Sequence, residues 1–295
     1  MLRIVLSMAL VVPLSAACPD PSVQAKEVQE ARAQPASSPR ARLAPFFSRA
    51  NADPAGVVPL ILEGSATLAT LEASDARLLA DTLEPYCARA FFSPERLPGM
   101  EKLGLALHRV RAGEVPERIA RRYQTGAGLF EYLNEGYDER KLREGQALKV
   151  LDLSGGLVEI EVKRGAYRLA VYRVLPEGGR ALVLCVPVGL GAPDSPTPLG
   201  ETSIKLRARN PEWTDPVTKT VYPPGDPGNV LGGYWIALDS EGIGRKGIGL
   251  HGFTGDVTAN WIEQPASHGC VRMLQRDIDR VFHLAVEGTR VTILP

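Results

Sequence analysis

A thiol and two imidazoles fall within one short stretch of this chain. His251 precedes Ser267-His268-Gly269-Cys270-Val271-Arg272, and the 295 residues contain only four His and four Cys. A free thiol has a pKa of about 8.5 and is mostly protonated at neutral pH. An imidazole that takes its proton turns it into an acyl-transfer nucleophile. The expectation is therefore cysteine acyl chemistry, with Cys270 as nucleophile and His251 as the base that later protonates the leaving amine. Gly269 allows a tight bend before the thiol. The backbone N–H groups of His268, Gly269 and Cys270 are then the candidate donors to an oxyanion. Ser267 and Arg272 flank the loop as supports, and the Arg272 guanidinium fork can also meet a carboxylate. Two other readings use the same residues. His251, His268 and Cys270 could hold zinc, but no fourth ligand stands at a matching spacing, so no metal is expected. Cys270 could also be an inert core thiol.

These residues need a scaffold, and from Leu157 onward the pattern is β. Val158–Val162 and Tyr167–Tyr172 alternate apolar and polar residues. Ala181–Val188 is a continuous apolar run, as in a strand buried on both faces. Further strands are expected over Glu201–Leu206, Ile248–His251 and Arg290–Leu294, with a helix over Asp277–Ala285. Trp213–Gly233 is long enough for a lid or substrate wall. Thr197, Tyr234 and Trp235 are candidate groove residues, although an aromatic at such a position can equally serve the core. The predicted fold is a mostly β catalytic domain with one or two helices.

Upstream, Arg3, the apolar run Ile4–Val12 and Ser15-Ala16-Ala17 read as an export signal over residues 1–17. The run is too short for a spanning helix. Cys18 follows directly and admits membrane anchoring by lipidation, although Ser15 stands where lipoprotein signals usually carry Leu. The expected location is the periplasm or cell envelope. Cys87, Cys185 and Cys270 then remain, an odd number, so at least one thiol stays unpaired within the chain. Residues 18–56, rich in Ala, Pro, Ser and Arg, read as a flexible tether. Residues 57–103 read as a helical spacer, with a short strand at Leu60–Leu62 and a helix over Ala73–Phe92. The formal net charge of zero argues against nucleic acid as a partner.

Residues 104–152 follow a βααβ pattern, with Pro116 opening the first helix. Val110, Gly113, Ile119-Ala120, Tyr123, Asn134, Leu142 and Gly145-Gln146-x-Leu148 resemble the LysM peptidoglycan-binding module. Its usual Gly-Asp-Thr-Leu opening reads Gly113-Glu114-Val115-Pro116 here, which removes a helix N-cap.

Residues 157–295 resemble the L,D-transpeptidase catalytic domain, or YkuD family. The matches are Pro187-Val188-Gly189, Thr197-Pro198-x-Gly200, Ile248-Gly249-Leu250-His251-Gly252 and Ser267-His268-Gly269-Cys270-Val271-Arg272-Met273. The resemblance implies a YkuD-like β-sandwich or barrel and a Gly252 carbonyl that orients His251. It also implies transfer on peptidoglycan stem peptides through a thioester, with no cofactor. An L,D-carboxypeptidase or a transferase anchoring proteins to the wall would use the same site, and a non-catalytic wall-binding protein is the rival class. A monomer is expected, with residues 157–295 folding on their own.

Overall fold

In a computed structural model of the chain, the described residues are 39–154, 158–215, 217–254 and 261–295. The export signal, Cys18, the start of the tether and Leu157 lie outside them. Helix α1 (Pro39–Ala52) occupies part of the segment read as a tether. Its composition looked unstructured, yet Leu43 and Ala50 are buried and Phe46 and Phe47 pack against the core. Tertiary contact thus supplies the helix stability that composition did not signal.

Helix α2 (Val57–Leu68) takes in Leu60–Leu62, the run expected to be a strand. A short apolar run is compatible with either state, and here packing beside α3 (Ala73–Phe91) makes it helical. Strand β1 (Leu105–Arg109), helices α4 (Pro116–Arg122) and α5 (Leu129–Leu133) and strand β2 (Ala147–Leu151) follow. The two strands pair antiparallel around a small core of Val110, Ile119, Phe130, Leu148 and Val150.

The rest of the chain is mostly β. Its strands are β3 (Val158–Lys163), β4 (Arg168–Val174), β5 (Arg180–Pro187), β6 (Leu190–Gly191), β7 (Gly200–Arg209), β8 (Trp213–Thr214), β9 (Val221–Tyr222), β10 (Tyr234–Leu238), β11 (Gly249–Gly252), β12 (Pro265–Ser267), β13 (Val271–Met273) and β14 (Arg290–Leu294). One helix, α6 (Gln275–Leu284), lies between the last two. Eight strands form a mixed sheet in the order β13-β11-β10-β7-β14-β3-β4-β5.

Strand β5 explains the role of the N-terminal helices. It ends the sheet, yet its residues Ala181–Val186 are all buried. An uncovered edge would leave backbone groups unpaired. Here α2 and α3 pack on it, Ser65 Oγ accepts the Leu182 N–H at 2.8 Å, and the Cys87 thiol donates to the Leu182 carbonyl at 3.3 Å. Leu60, Ile61, Leu83, Cys87, Leu182, Leu184 and Val291 belong to one continuous core. Residues 57–103, expected to be a spacer, therefore contribute to a core shared with the sheet, and the expected autonomy of residues 157–295 does not fit this packing. Cys87 and Cys185 are buried free thiols within it.

The β1–β2 unit is docked on α6 and the end of α3. Gly126 N–H donates to the His283 carbonyl at 3.0 Å, and a side chain at Gly128 would collide with the His283 ring, 2.3 Å from its Nε2. Tyr132 in α5 and Tyr234 in β10 both donate to the Asp279 carboxylate on α6. Within the unit, His108 bonds Glu114 at 2.8 Å and Tyr123 at 3.0 Å. Buried Lys149 donates to the carbonyls of Ala90, Ser93 and Glu95, which ties β2 to the end of α3.

Candidate active site

Sheet register brings the motif residues together. Strands β11 and β13 run parallel, with Leu250 opposite Val271 and His251 opposite Arg272. Side chains alternate along a strand, and this register sets His251 and Arg272 on one face. Cys270 immediately precedes β13, two residues before Arg272, with the Gly249 N–H on its thiol. On the other side of β11, Trp235 pairs with His251, and their rings lie 5.8 Å apart.

His251 is 3% exposed, and its Nδ1 lies 2.5 Å from the Gly252 carbonyl. A carbonyl oxygen can only accept, so Nδ1 carries the proton and Nε2 is left with a free lone pair. Burial lowers the imidazole pKa to about 4; the Gly252 carbonyl opposes that shift and the Arg272 charge adds to it. His251 is therefore neutral at pH 7, the protonation state a base requires. The Gln275 amide occupies the space a side chain at Gly252 would need and closes this corner.

Cys270 is half-buried, with its thiol 3.5 Å from the Gly247 carbonyl. Burial pushes the thiol pKa up, while the Gly249 backbone N–H, Arg272 and Arg245 pull it down. Arg272 stacks over the Phe253 ring at 4.5 Å and donates to the Ala266 carbonyl at 3.3 Å. It also joins the neighbouring loop through paired backbone bonds with Gly189.

The loop before the thiol is built around Ser267. Its hydroxyl donates to the Cys270 carbonyl at 2.6 Å and accepts the Gly269 N–H at 3.1 Å. Gly269 sits at φ +103°, a conformation that side chains disfavour. The expectation that the Gly269 N–H faces an oxyanion is corrected, because that donor is committed to Ser267. The His268 and Cys270 N–H groups remain as candidates. The His268 side chain is exposed. Strands β8 and β9 pair as a hairpin. That hairpin occupies part of the long Trp213–Gly233 loop and is held by a stacked Trp213–Tyr222 pair, 5.3 Å between centroids.

Two expected groove residues lie elsewhere. Thr197 is fully buried, and its Oγ1 accepts the Gly191 N–H at 2.9 Å, so it shapes a turn. Tyr234 alternates with Trp235 along β10 and faces the opposite side of the sheet. There it packs on Phe282 at 4.7 Å and under Arg209, and bonds Asp279. Trp235 alone of the three adjoins His251. Arg245 escaped the sequence reading. The only hint was a basic pair, Arg245-Lys246, just before the glycine-flanked strand that ends in His251.

Comparison with known proteins bears on the same segment. Residues 158–293 match YkuD, the L,D-transpeptidase catalytic domain. Among curated proteins, the chain is 33% identical over 106 residues to "Putative L,D-transpeptidase YqjB" of Bacillus subtilis, covering 36% of this chain and 56% of that protein. It is 26% identical over 194 residues to "Putative L,D-transpeptidase YkuD" of Bacillus licheniformis, covering 65% of this chain and 100% of that protein. The match thus spans just over half of YqjB and all of the B. licheniformis protein. Among solved structures, an L,D-transpeptidase from Mycobacterium tuberculosis aligns at 13% identity with a TM-score of 0.36, covering 52% of this chain and 75% of that one. The similarity to L,D-transpeptidase catalytic domains thus lies in the mostly β part of the chain.

The buried base makes a pH prediction. An imidazole titrating near 4 is fully neutral above about pH 5, whereas an unperturbed one would lose half its base form near 6.5. The acylation rate of Cys270 should therefore hold down to about pH 5 and fall only through pH 4, with its alkaline side set by a thiol above the ordinary range. Single-turnover acylation between pH 4 and 10 measures this. An acid limb centred near 6.5 would mean that the base is not a buried imidazole.

Proposed function

We propose that this protein is an exported L,D-transpeptidase that remodels peptidoglycan through a thioester on Cys270. The observation that carries the reading is the neutral imidazole of His251, its Nδ1 held by the Gly252 carbonyl, on the strand paired with the one that Cys270 leads into. The match of residues 158–293 to the L,D-transpeptidase catalytic domain supports peptidoglycan as the substrate class.

In this reading Cys270 Sγ attacks the amide carbonyl carbon after the L-configured centre of a diamino acid in the stem peptide. The thiol proton passes to His251 Nε2 as the S–C bond forms. The developing oxyanion meets the Cys270 and His268 N–H groups. Collapse breaks the C–N bond, and His251 returns its proton to the departing terminal D-residue. An amine from a second stem then attacks the thioester, releasing the thiol and closing a crosslink. Water in place of that amine would give the carboxypeptidase outcome. Trp235 walls the site beside His251. The β1–β2 unit, read as LysM-like, would hold the enzyme on the wall in a fixed orientation.

Two measurements test this together. Purified protein incubated with a carbapenem should gain the mass of one adduct, mapping to the Cys270 peptide. Tetrapeptide stems should release their terminal D-amino acid. Adduct formation without release would move the substrate class; neither event would remove the catalytic reading in favour of a wall-binding protein.

A further inference from the structure

Three loops converge on Cys270, and one side chain joins them. The Arg245 guanidinium donates through one nitrogen to Ser195 Oγ at 2.6 Å and to the His268 carbonyl at 3.0 Å, and through the other to the Pro196 carbonyl at 3.1 Å. A side chain at Gly269 would fall 2.8 Å from the same guanidinium, so glycine at that position is what admits the arginine. Two and four residues further on, the Gly247 carbonyl faces the thiol and the Gly249 N–H favours its anion. The segment from Arg245 to Gly249 therefore lines one side of the nucleophile.

We infer that Arg245 is a positioning residue that staples the Ser195–Pro196 turn to the His268–Gly269 peptide and so sets the direction of Cys270. The inference rests on the reading of Cys270 as nucleophile.

The physical case has two parts. First, the His268–Gly269 peptide sits at the strained bend before the thiol. A bond to its carbonyl fixes the orientation of that peptide plane, and the Cys270 N–H and Sγ follow from it. A charged guanidinium makes shorter and stronger bonds than a neutral donor, and its planar fork can engage several acceptors in one geometry. Second, His251 is neutral, so no imidazolium is present to stabilise a thiolate before reaction. The cations that bear on the thiol are Arg272 and Arg245. Arg272 is largely engaged with Phe253 and Ala266. Arg245 adds positive charge from the opposite loop and simultaneously holds that loop closed.

The test uses the full chain and three variants, R245Q, R245K and S195A. Alkylation of Cys270 by iodoacetamide, followed by peptide mass, reads the thiol without any substrate. Cys87 and Cys185 are buried and serve as internal controls. Carbapenem acylation reads the positioned nucleophile, and thermal unfolding reads the fold. For R245Q we expect the alkylation midpoint to move to higher pH and acylation to slow about 10- to 100-fold, the range for loss of one charged hydrogen-bonding partner. R245K keeps the charge but not the fork, so its midpoint should stay near that of the parent while acylation falls about tenfold. S195A, which leaves the charge in place, should slow acylation by a few-fold with an unchanged midpoint and melting temperature. R245Q acylating within twofold of the parent protein would overturn the inference. So would full acylation by R245K, since charge alone would then suffice. If the parent protein is never acylated but its alkylation midpoint still moves in R245Q, the transpeptidase reading fails while the role of Arg245 stands.

Discussion

Replacing Cys270 by Ala should abolish transfer and leave the fold intact. The thiol is half-buried and its polar neighbours are the Gly247 carbonyl, 3.5 Å away, and the Gly249 N–H, so its removal should cost less than about 1 kcal/mol of stability. The proposed reaction, by contrast, would lose the atom that forms its covalent intermediate, and losses of about four orders of magnitude or more accompany removal of such a nucleophile. His251→Ala should be nearly as damaging, because the proton then has no acceptor within the pair. His268→Ala should cost less than about tenfold, since its side chain is exposed and the backbone N–H it contributes survives. Single-turnover acylation of the three variants, with unfolding curves as control, gives the ranking. Terminal D-amino-acid release by Cys270→Ala would disprove the mechanism, and His268→Ala falling below His251→Ala would exchange the two roles.

Removing residues 1–156 should leave a fragment that does not fold. The reason lies in the shared core. Leu60, Ile61 and Leu83 are fully buried against the β5 side of the sheet, and Phe91 and Leu103 extend the same core. At roughly 2 kcal/mol for each large apolar side chain, these five alone contribute about 10 kcal/mol, which is comparable with the roughly 5–15 kcal/mol of net stability of a typical domain. The cut would also strip the edge strand of its bonds from Ser65 and Cys87. It would leave Arg168, 8% exposed, without Asp81, with which it forms a two-pronged pair at 2.9 and 3.0 Å. Arg168 also binds Glu263, which Arg77 holds at 2.7 Å from helix α3, so the arm leading to Ser267 loses an anchor. Circular dichroism, size exclusion and urea unfolding of residues 157–295 against the full chain measure the effect. Cooperative unfolding and normal acylation by the fragment would restore the autonomous domain. A gentler probe, Leu83→Ala in the full chain, should cost about 2–5 kcal/mol.

What the sequence by itself determined here is local. The alternation in Val158–Val162 and the unbroken apolar run of Ala181–Val186 are properties of neighbouring residues, and the strands appeared where those patterns lie. The rarity of His and Cys drew attention to His251 and Cys270 without any knowledge of the fold. That Tyr234 and Trp235 cannot share a sheet face also follows from adjacency. Which of them faces His251 does not: that depended on the register of β10 against β11. The helices of residues 57–103 were legible in part, but not their purpose, because their partners on β5 stand more than ninety residues away. Thr197 drew attention within a motif, yet its environment was set by a turn closing on Gly191. The Gly269 N–H was a free donor in principle until Ser267 folded back on it. Arg245 carried no signal, because its three acceptors lie 23 to 50 residues away. Periodicity and composition report only what a residue's neighbours in the chain demand. Contacts closed across long loops are chosen by the packing of the whole core, and that choice decided which side chains surround the thiol.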